Sequence, residues 1–371
     1  MILLDEITYI KLLKDALEIF SPSGKEEEMS QFLFNLLQKL GYSNVRIDRI
    51  GNVIGEIGEN RPIILLSSHL DTINDNLPVY EDDEKLYGRG AVDAKGPLMA
   101  LLLGASKFSK KKLNGKIIFA GIVQEEISTK GIDEFLNSGV QANYAIFAEP
   151  NNTNNIVVAY KGRALLQIVM KSKKGSGHPA SAWLFDNTIE LAHSFYLKIK
   201  EFFNINYRGR TPYFSAIPTI TEFYSSEGKN VIPSRAKFYI DLRFPIGINF
   251  NDLISGINKL KEDFIKSNNC IIDIEILSLV LPYSTDPKQI FIQKLSESIE
   301  KVLNVKSKLT RKTGTTFMNV IGNKLGIPTI SIGPGDPKLE HTKEEFIYKK
   351  DFLHEIKIIE DFIENFLGLQ N

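Results

Sequence analysis

Three short runs without a single charged residue, Ile63 to Ser67, Ile117 to Val123 and Tyr144 to Ala148, most constrain what this chain can become. A strand that is apolar on both faces has to be covered on both sides, so such runs belong in the middle of an α/β sheet. Helical stretches at about 95 to 109 and 130 to 137 lie between them, and two more, about 6 to 20 and 25 to 40, precede them. The opening pair is broken by Ser21-Pro22-Ser23-Gly24, in which Ser23 is placed to cap the second helix. The same alternation returns late in the chain. A helix near 288 to 303, a strand near 307 to 312, a helix near 316 to 324, a strand from Pro328 to Ile332 and a closing helix from about 349 complete the α/β pattern.

Residues 160 to 283 follow a different order: strand, helix, strand, strand, helix, strand. That βαββαβ succession makes a two-layer ferredoxin-like sandwich, inserted into the larger sheet. At 371 residues the chain exceeds what one core usually accommodates. The expected division is therefore a catalytic domain in two parts, 1 to 158 and 284 to 371, around an inserted domain at 159 to 283. The run Asn151-Asn152-Thr153-Asn154-Asn155 is a candidate hinge before it.

Lys and Arg number 45 against 45 Asp and Glu, so overall charge gives no argument for nucleic acid or membrane as a partner. No stretch approaches the roughly 20 apolar residues of a membrane span, and the N-terminal segment intersperses charges at helical spacing, unlike a secretory signal. The expected location is the cytoplasm. A single cysteine, Cys270, excludes an internal disulfide framework and a cysteine-based zinc site. Any metal has to be held by histidines and carboxylates.

Those residue types collect where the strands end. His69 and Asp71 leave the same face of the first apolar strand at its carboxyl end, the edge at which open α/β sheets bind ligands. Asp93 sits in the glycine-rich turn Gly88 to Gly96, directly before a helix. That turn lacks both the G-x-G-x-x-G and the G-x-x-x-x-G-K-S/T spacings of nucleotide-binding loops. Glu125 and Glu126 follow the second apolar strand, Glu149 follows the third, and His341 arrives in a Gly/Pro loop after Pro328 to Ile332. Two imidazoles and three carboxylates suffice for two zinc-like ions if one carboxylate bridges, and the spare glutamate is then a general base. His193 and His354 lie on helical stretches away from these motifs and read as structural.

In their order along the chain, HLDT, GRGAVDAKG, QEE, AEP, SGHPA, NVIPSRAKFYIDLRF and EHT resemble the zinc metallopeptidase family of aminoacylases, acetylornithine deacetylases, succinyl-diaminopimelate desuccinylases and glutamate carboxypeptidases. The resemblance covers nearly the whole chain and implies a mixed sheet flanked by helices, with the insertion as a lid and dimerisation domain. It implies His69, Asp93 and Glu149 on one ion, and Asp93, Glu126 and His341 on the other, zinc or cobalt. Glu125 becomes the general base, Asp71 orients His69, and His178 of a homodimer partner stabilises the oxyanion. Asn230 and Arg243 are similar to positions that hold a substrate carboxylate.

Within that family, GRGAVDAKGPL, Tyr160-Lys161-Gly162-Arg163, the turn Lys312 to Thr315 with Gly314, and the His341-Thr342 ending look most like enzymes that release lysine or ornithine from an acidic amino-group carrier protein. Residues 156 to 245 carry 13 Lys or Arg against 6 acids, a basic face that could steer an acidic partner. Phe317 departs from the pattern, because relatives carry an acid soon after this Gly-Thr turn. The alternatives are a deacylase of free N-acyl amino acids and, of another class, a metal-binding homologue without catalysis. The intact ligand pattern and Glu125 argue against the last.

Overall fold

The structure, a computed structural model, describes residues 5–225 and 227–370. It divides into two compact units, one formed by Met1–Ala159, Ser284–Arg311 and Thr316–Asn371, the other by Tyr160–Tyr283 and Lys312–Thr315.

The uncharged runs form the centre of the first unit. Ile63–His69 pairs in parallel with Lys116–Ile122 on one side and Tyr144–Phe147 on the other, and Thr329–Ile330 adds in parallel beyond the latter. Val53–Ile57 and Ser43–Ile47 extend the other edge antiparallel, so the six-stranded sheet is mixed. Leu65, Leu66, Phe119, Ala145 and Ile146 have no exposed surface, and each large apolar side chain buried in this way contributes roughly 1.5–3 kcal/mol. Because the four parallel strands share a direction, their carboxyl ends share one edge.

Helix Lys95–Ser106 is buried from Lys95 to Ala105, without the polar face of a surface helix. Helix Lys349–Leu367 reaches it closely because position 104 is glycine: a Cβ there would lie 2.8 Å from the Ile359 side chain and 2.9 Å from the Ile356 carbonyl oxygen. The one charge of the buried helix, Lys95, donates from Nζ to the carbonyl oxygens of Ala16 and Ile19, where helix Glu6–Glu18 ends. A cation is favoured at that end, although burial pushes the amine down to about 7.

The second unit has a four-stranded antiparallel sheet in the order Ile217–Tyr224, Arg235–Phe244, Gly162–Ser172, Cys270–Val280. Numbered along the chain this is 2-3-1-4, and with helices Thr188–Asn206 and Phe250–Ser267 it makes the ferredoxin-like βαββαβ sandwich. Ala164, Leu166, Ile168 and Met170 turn to the helices and are fully buried, while the alternating Arg163, Leu165, Gln167 and Val169 stay partly exposed. Cys270 is free and buried. Among the described residues no helix is long and apolar enough to cross a membrane.

Candidate metal centre

His69 is the last residue of its strand, and its Nδ1 donates to the Asp71 carbonyl oxygen at 2.9 Å. A carbonyl only accepts, so the neutral ring carries its hydrogen on Nδ1 and presents the Nε2 lone pair inward. Nε2 lies 3.2 Å from Oδ1 of Asp93. The other oxygen of Asp93 is 3.0 Å from Nε2 of His341, which is also 3.0 Å from Oε1 of Glu126. One carboxylate thus stands between two imidazoles, the geometry a bridging ligand requires. Donor atoms of His69, Asp93 and Glu126 all lie within 4.8 Å of one another.

Backbone devices bring these groups together. The Asp71 carboxylate accepts the amides of Glu125 at 3.0 Å and Glu126 at 3.2 Å, and the Ser23 hydroxyl at 2.6 Å. It lies 3.4 Å from Nδ1 of His69, so it steadies that ring as well as the glutamate turn. Gln124 and His341 both hold left-handed backbone, φ 60° each, at the bends that turn Glu125 and the His341 imidazole into place. The loop before His341 needs its glycines, since a Cβ on Gly333 would lie 2.5 Å from the Glu149 carbonyl oxygen. The Glu149 amide in turn donates to the Ile332 carbonyl oxygen at 2.9 Å. Glu149 is therefore fixed beside the cluster with little exposed surface.

The charges are strongly coupled. Burial opposes charging His69, but its hydrogen bonds to the Asp71 and Asp93 carboxylates outweigh it and push the imidazole well above its ordinary value. Hydrogen bonds from its ring to the Asp93 and Glu126 carboxylates raise His341 to about 10. Burial would raise Asp93, but the two imidazoles hold it well below the usual carboxylate range. Burial pushes Glu149 well above that range, with the Asp93 and Glu125 charges adding to the effect. Glu125 rises to about 8, first through burial and then through repulsion by Glu126, Asp71 and Asp93, with His69 acting the other way. Crowded carboxylates that resist ionisation together are relieved by cations.

The remaining candidates fall in the second unit. His178 accepts the Ala180 amide on Nδ1 at 3.1 Å, and its Nε2 meets the side-chain amide of Asn230 at 3.0 Å. Arg243 donates through Nε to Asp241 at 2.7 Å, and Arg163 donates to the other oxygen of the same carboxylate at 2.7 Å. Thr315 donates to the Lys161 carbonyl oxygen at 2.7 Å, and Gly314 faces the Tyr160 ring. Phe317, the first residue of helix Phe317–Leu325, is buried edge-to-face against Phe147 at 5.7 Å, so it is a core residue. His193 is exposed on its helix and His354 lies on the closing helix, both outside the cluster.

Three residues that hold the centre were not singled out from the sequence. Its place in the sequence suggests only a helix cap for Ser23, whereas its hydroxyl goes to Asp71. Arg89 and Glu345 form a buried ion pair at 2.6 Å beneath Asp93. Arg89 lies inside the glycine-rich turn, the only available signal for it, and Glu345 lies four residues after His341, outside any motif.

A mixed α/β sheet with imidazoles and carboxylates converging at the carboxyl ends of its parallel strands defines a hydrolase of metallopeptidase type. The chain belongs to peptidase family M20/M25/M40, whose model matches residues 65–365. It is 32% identical to the LysW-lysine/LysW-ornithine hydrolase of Sulfurisphaera tokodaii over 91% of this chain and 89% of that protein. Its fold is that of the M20 family metallo-carboxypeptidase Sso-CP2 from Sulfolobus solfataricus, with a TM-score of 0.82 at 19% identity over 97% and 99% of the two chains. The Bacillus subtilis YXEP protein, described as a dinuclear metal binding peptidase from the M20 family, matches with a TM-score of 0.73 at 15% identity over 98% and 99%.

Proposed function

We propose that this hydrolase uses two divalent ions, zinc or cobalt, to cut the amide that joins lysine or ornithine to an acidic amino-group carrier protein. The observation that carries the metal part is the Asp93 carboxylate standing between Nε2 of His69 and Nε2 of His341 at 3.2 and 3.0 Å. Imidazole nitrogen and carboxylate oxygen without thiolate is a donor set that suits zinc-like ions. His69, Asp93 and Glu149 would hold one ion, and Asp93, Glu126 and His341 the other. When bound, the ions polarise the scissile carbonyl, lower the pKa of the attacking water and draw down the pKa values of the surrounding carboxylates.

Glu125 adjoins the ligand Glu126 with its own carboxylate spare, and it takes the proton from water and returns it to the leaving nitrogen. Asp71 keeps its turn in place. His178 accepts on Nδ1 from Ala180, so Nε2 carries the hydrogen in the neutral ring, to be donated to the developing oxyanion in the active site of a homodimer partner. In the structure Nε2 meets the Asn230 side-chain amide at 3.0 Å, a contact that the oxyanion would replace. Arg243, with Asn230, Gly314 and Thr315, receives the substrate carboxylate, and Asp241 fixes its guanidinium. We assign the second unit to a homodimer contact and the protein to the cytoplasm.

The carrier-protein part rests on the LysW-hydrolase relative and on the basic run of residues 156 to 245. Turnover of carrier-bound lysine and carrier-bound ornithine against N-acetylornithine and N-succinyl-diaminopimelate, with zinc- and cobalt-loaded protein, tests it. The carrier-bound substrates are expected to react. Hydrolysis of the free acyl amino acids alone would overturn this reading in favour of a deacylase.

A further inference from the structure

Arg89 and Glu345 are both buried, 3% and 1% exposed, and are 256 residues apart in sequence. Their ion pair is the centre of a larger arrangement. Oε1 of Glu345 accepts the backbone amides of Val92 at 2.9 Å and Asp93 at 3.1 Å, while Oε2 accepts Nη1 of Arg89 at 2.6 Å. Arg89 uses its remaining donors outward: Nη2 to the Thr342 carbonyl oxygen at 2.9 Å, and Nε and Nη2 to the carbonyl and carboxylate of Asp75 at 2.9 Å each. Lys343 closes the outer side on the same Asp75 carboxylate at 2.9 Å.

The two segments joined here are the turn that carries Asp93 and the loop that carries His341. A single carboxylate holds the amide of Asp93 itself, and the guanidinium beside it holds the carbonyl of the residue after His341. Backbone groups fixed at both ends leave Asp93 and His341 little freedom to move relative to each other. A guanidinium suits this work because its fork fixes direction as well as charge. Removing one member also leaves a buried charge without its partner.

We infer that Arg89 and Glu345 are positioning residues that set the separation of Asp93 from His341, and so the affinity for the ion held by Asp93, Glu126 and His341. This rests on the two-ion reading above, and the test separates the two claims. Cobalt(II) is titrated into the metal-free wild-type protein, Glu345→Gln, Glu345→Ala and Arg89→Lys, in competition with a chelator, with the visible absorption of the bound cobalt recorded. Groups that orient metal ligands are commonly worth about 10–100-fold in affinity.

Glu345→Ala is expected to bind one cobalt at least ~10-fold more weakly with an altered spectrum, while the other stays close to wild type. Glu345→Gln keeps an acceptor for the two amides but presents a donor to Arg89, so it is expected to fall between wild type and Glu345→Ala. Arg89→Lys keeps the charge without the fork and is expected to be similarly intermediate. If Glu345→Ala does not fold, the other two variants carry the test. Wild-type affinity and spectrum in every folded variant would overturn the inference while leaving the two-ion reading intact. A wild-type protein that takes up no cobalt would overturn the two-ion reading itself.

Discussion

The carboxylate of Asp71 accepts the backbone amide of Glu125 at 3.0 Å while the carbonyl of the same residue accepts Nδ1 of His69 at 2.9 Å. One residue therefore sets both the ring that faces the proposed metal site and the turn that carries the proposed base. Asp71→Ala should weaken metal binding by roughly 10–100-fold and also lower kcat when metal is saturating. Chelator competition together with kcat at high zinc checks both effects. Full recovery of kcat by added zinc would limit Asp71 to orienting His69.

Glu125 and His69 should fail in different ways. Glu125→Ala is expected to keep both ions and lose turnover by about 10²–10⁴-fold, the usual contribution of a positioned base. His69→Ala is expected to lose metal as well. Metal content measured beside kcat separates them, and equal metal loss in the two variants would make Glu125 a ligand.

Neither carboxylate oxygen of Glu355 has a hydrogen-bond partner among the described residues. Burial, with the nearby Asp351 charge adding to it, pushes this carboxyl from 4.5 to about 8. Between those values the folded chain keeps a proton that the unfolded chain releases. Its contribution to stability is whole below pH 4.5 and is lost as pH rises toward 8, at about 1.4 kcal/mol per pH unit. Urea unfolding at pH 5, 6.5 and 8 should show that decline to be steeper in the wild type than in Glu355→Gln. Equal slopes would contradict the assignment.

Alanine in place of a helical glycine usually stabilises by about 1 kcal/mol. Gly104→Ala should do the opposite, because its Cβ would meet Ile359 and the Ile356 carbonyl oxygen below 3 Å. A net loss of roughly 1–3 kcal/mol is expected from overpacking, measured as a shift of the urea midpoint at constant m-value.

Helices Lys130–Asn137 and Phe250–Ser267 lie where their apolar spacing puts them, and the central strands where uncharged runs put them. Other elements were hidden for identifiable reasons. Ser43–Ile47 is an exposed edge strand with a charge in it, and Val53–Ile57 contains Gly55, which fits beneath Leu37 and Tyr42 and looks like a breaker in sequence. The strand expected at Pro328 to Ile332 shortens to Thr329–Ile330, with Ser331 forming an isolated bridge to Val157. The first helix of the inserted domain begins only at Thr188, where the Asn187 side chain caps it, after a separate 3-10 turn at Pro179–Leu184.

In the candidate metal centre, acids and imidazoles at strand ends are legible in the sequence. The residues beneath them are not, because Glu345 acts on backbone amides 252 and 253 residues away, and no spacing rule encodes that.

Metal content tests the central claim most directly. Protein purified and equilibrated under zinc-replete conditions is expected to hold two ions per chain, to lose both amide hydrolysis and metal on dialysis against a chelator, and to regain both when zinc or cobalt returns. Fewer than one ion per chain, or hydrolysis undiminished after the metal is gone, would contradict the account.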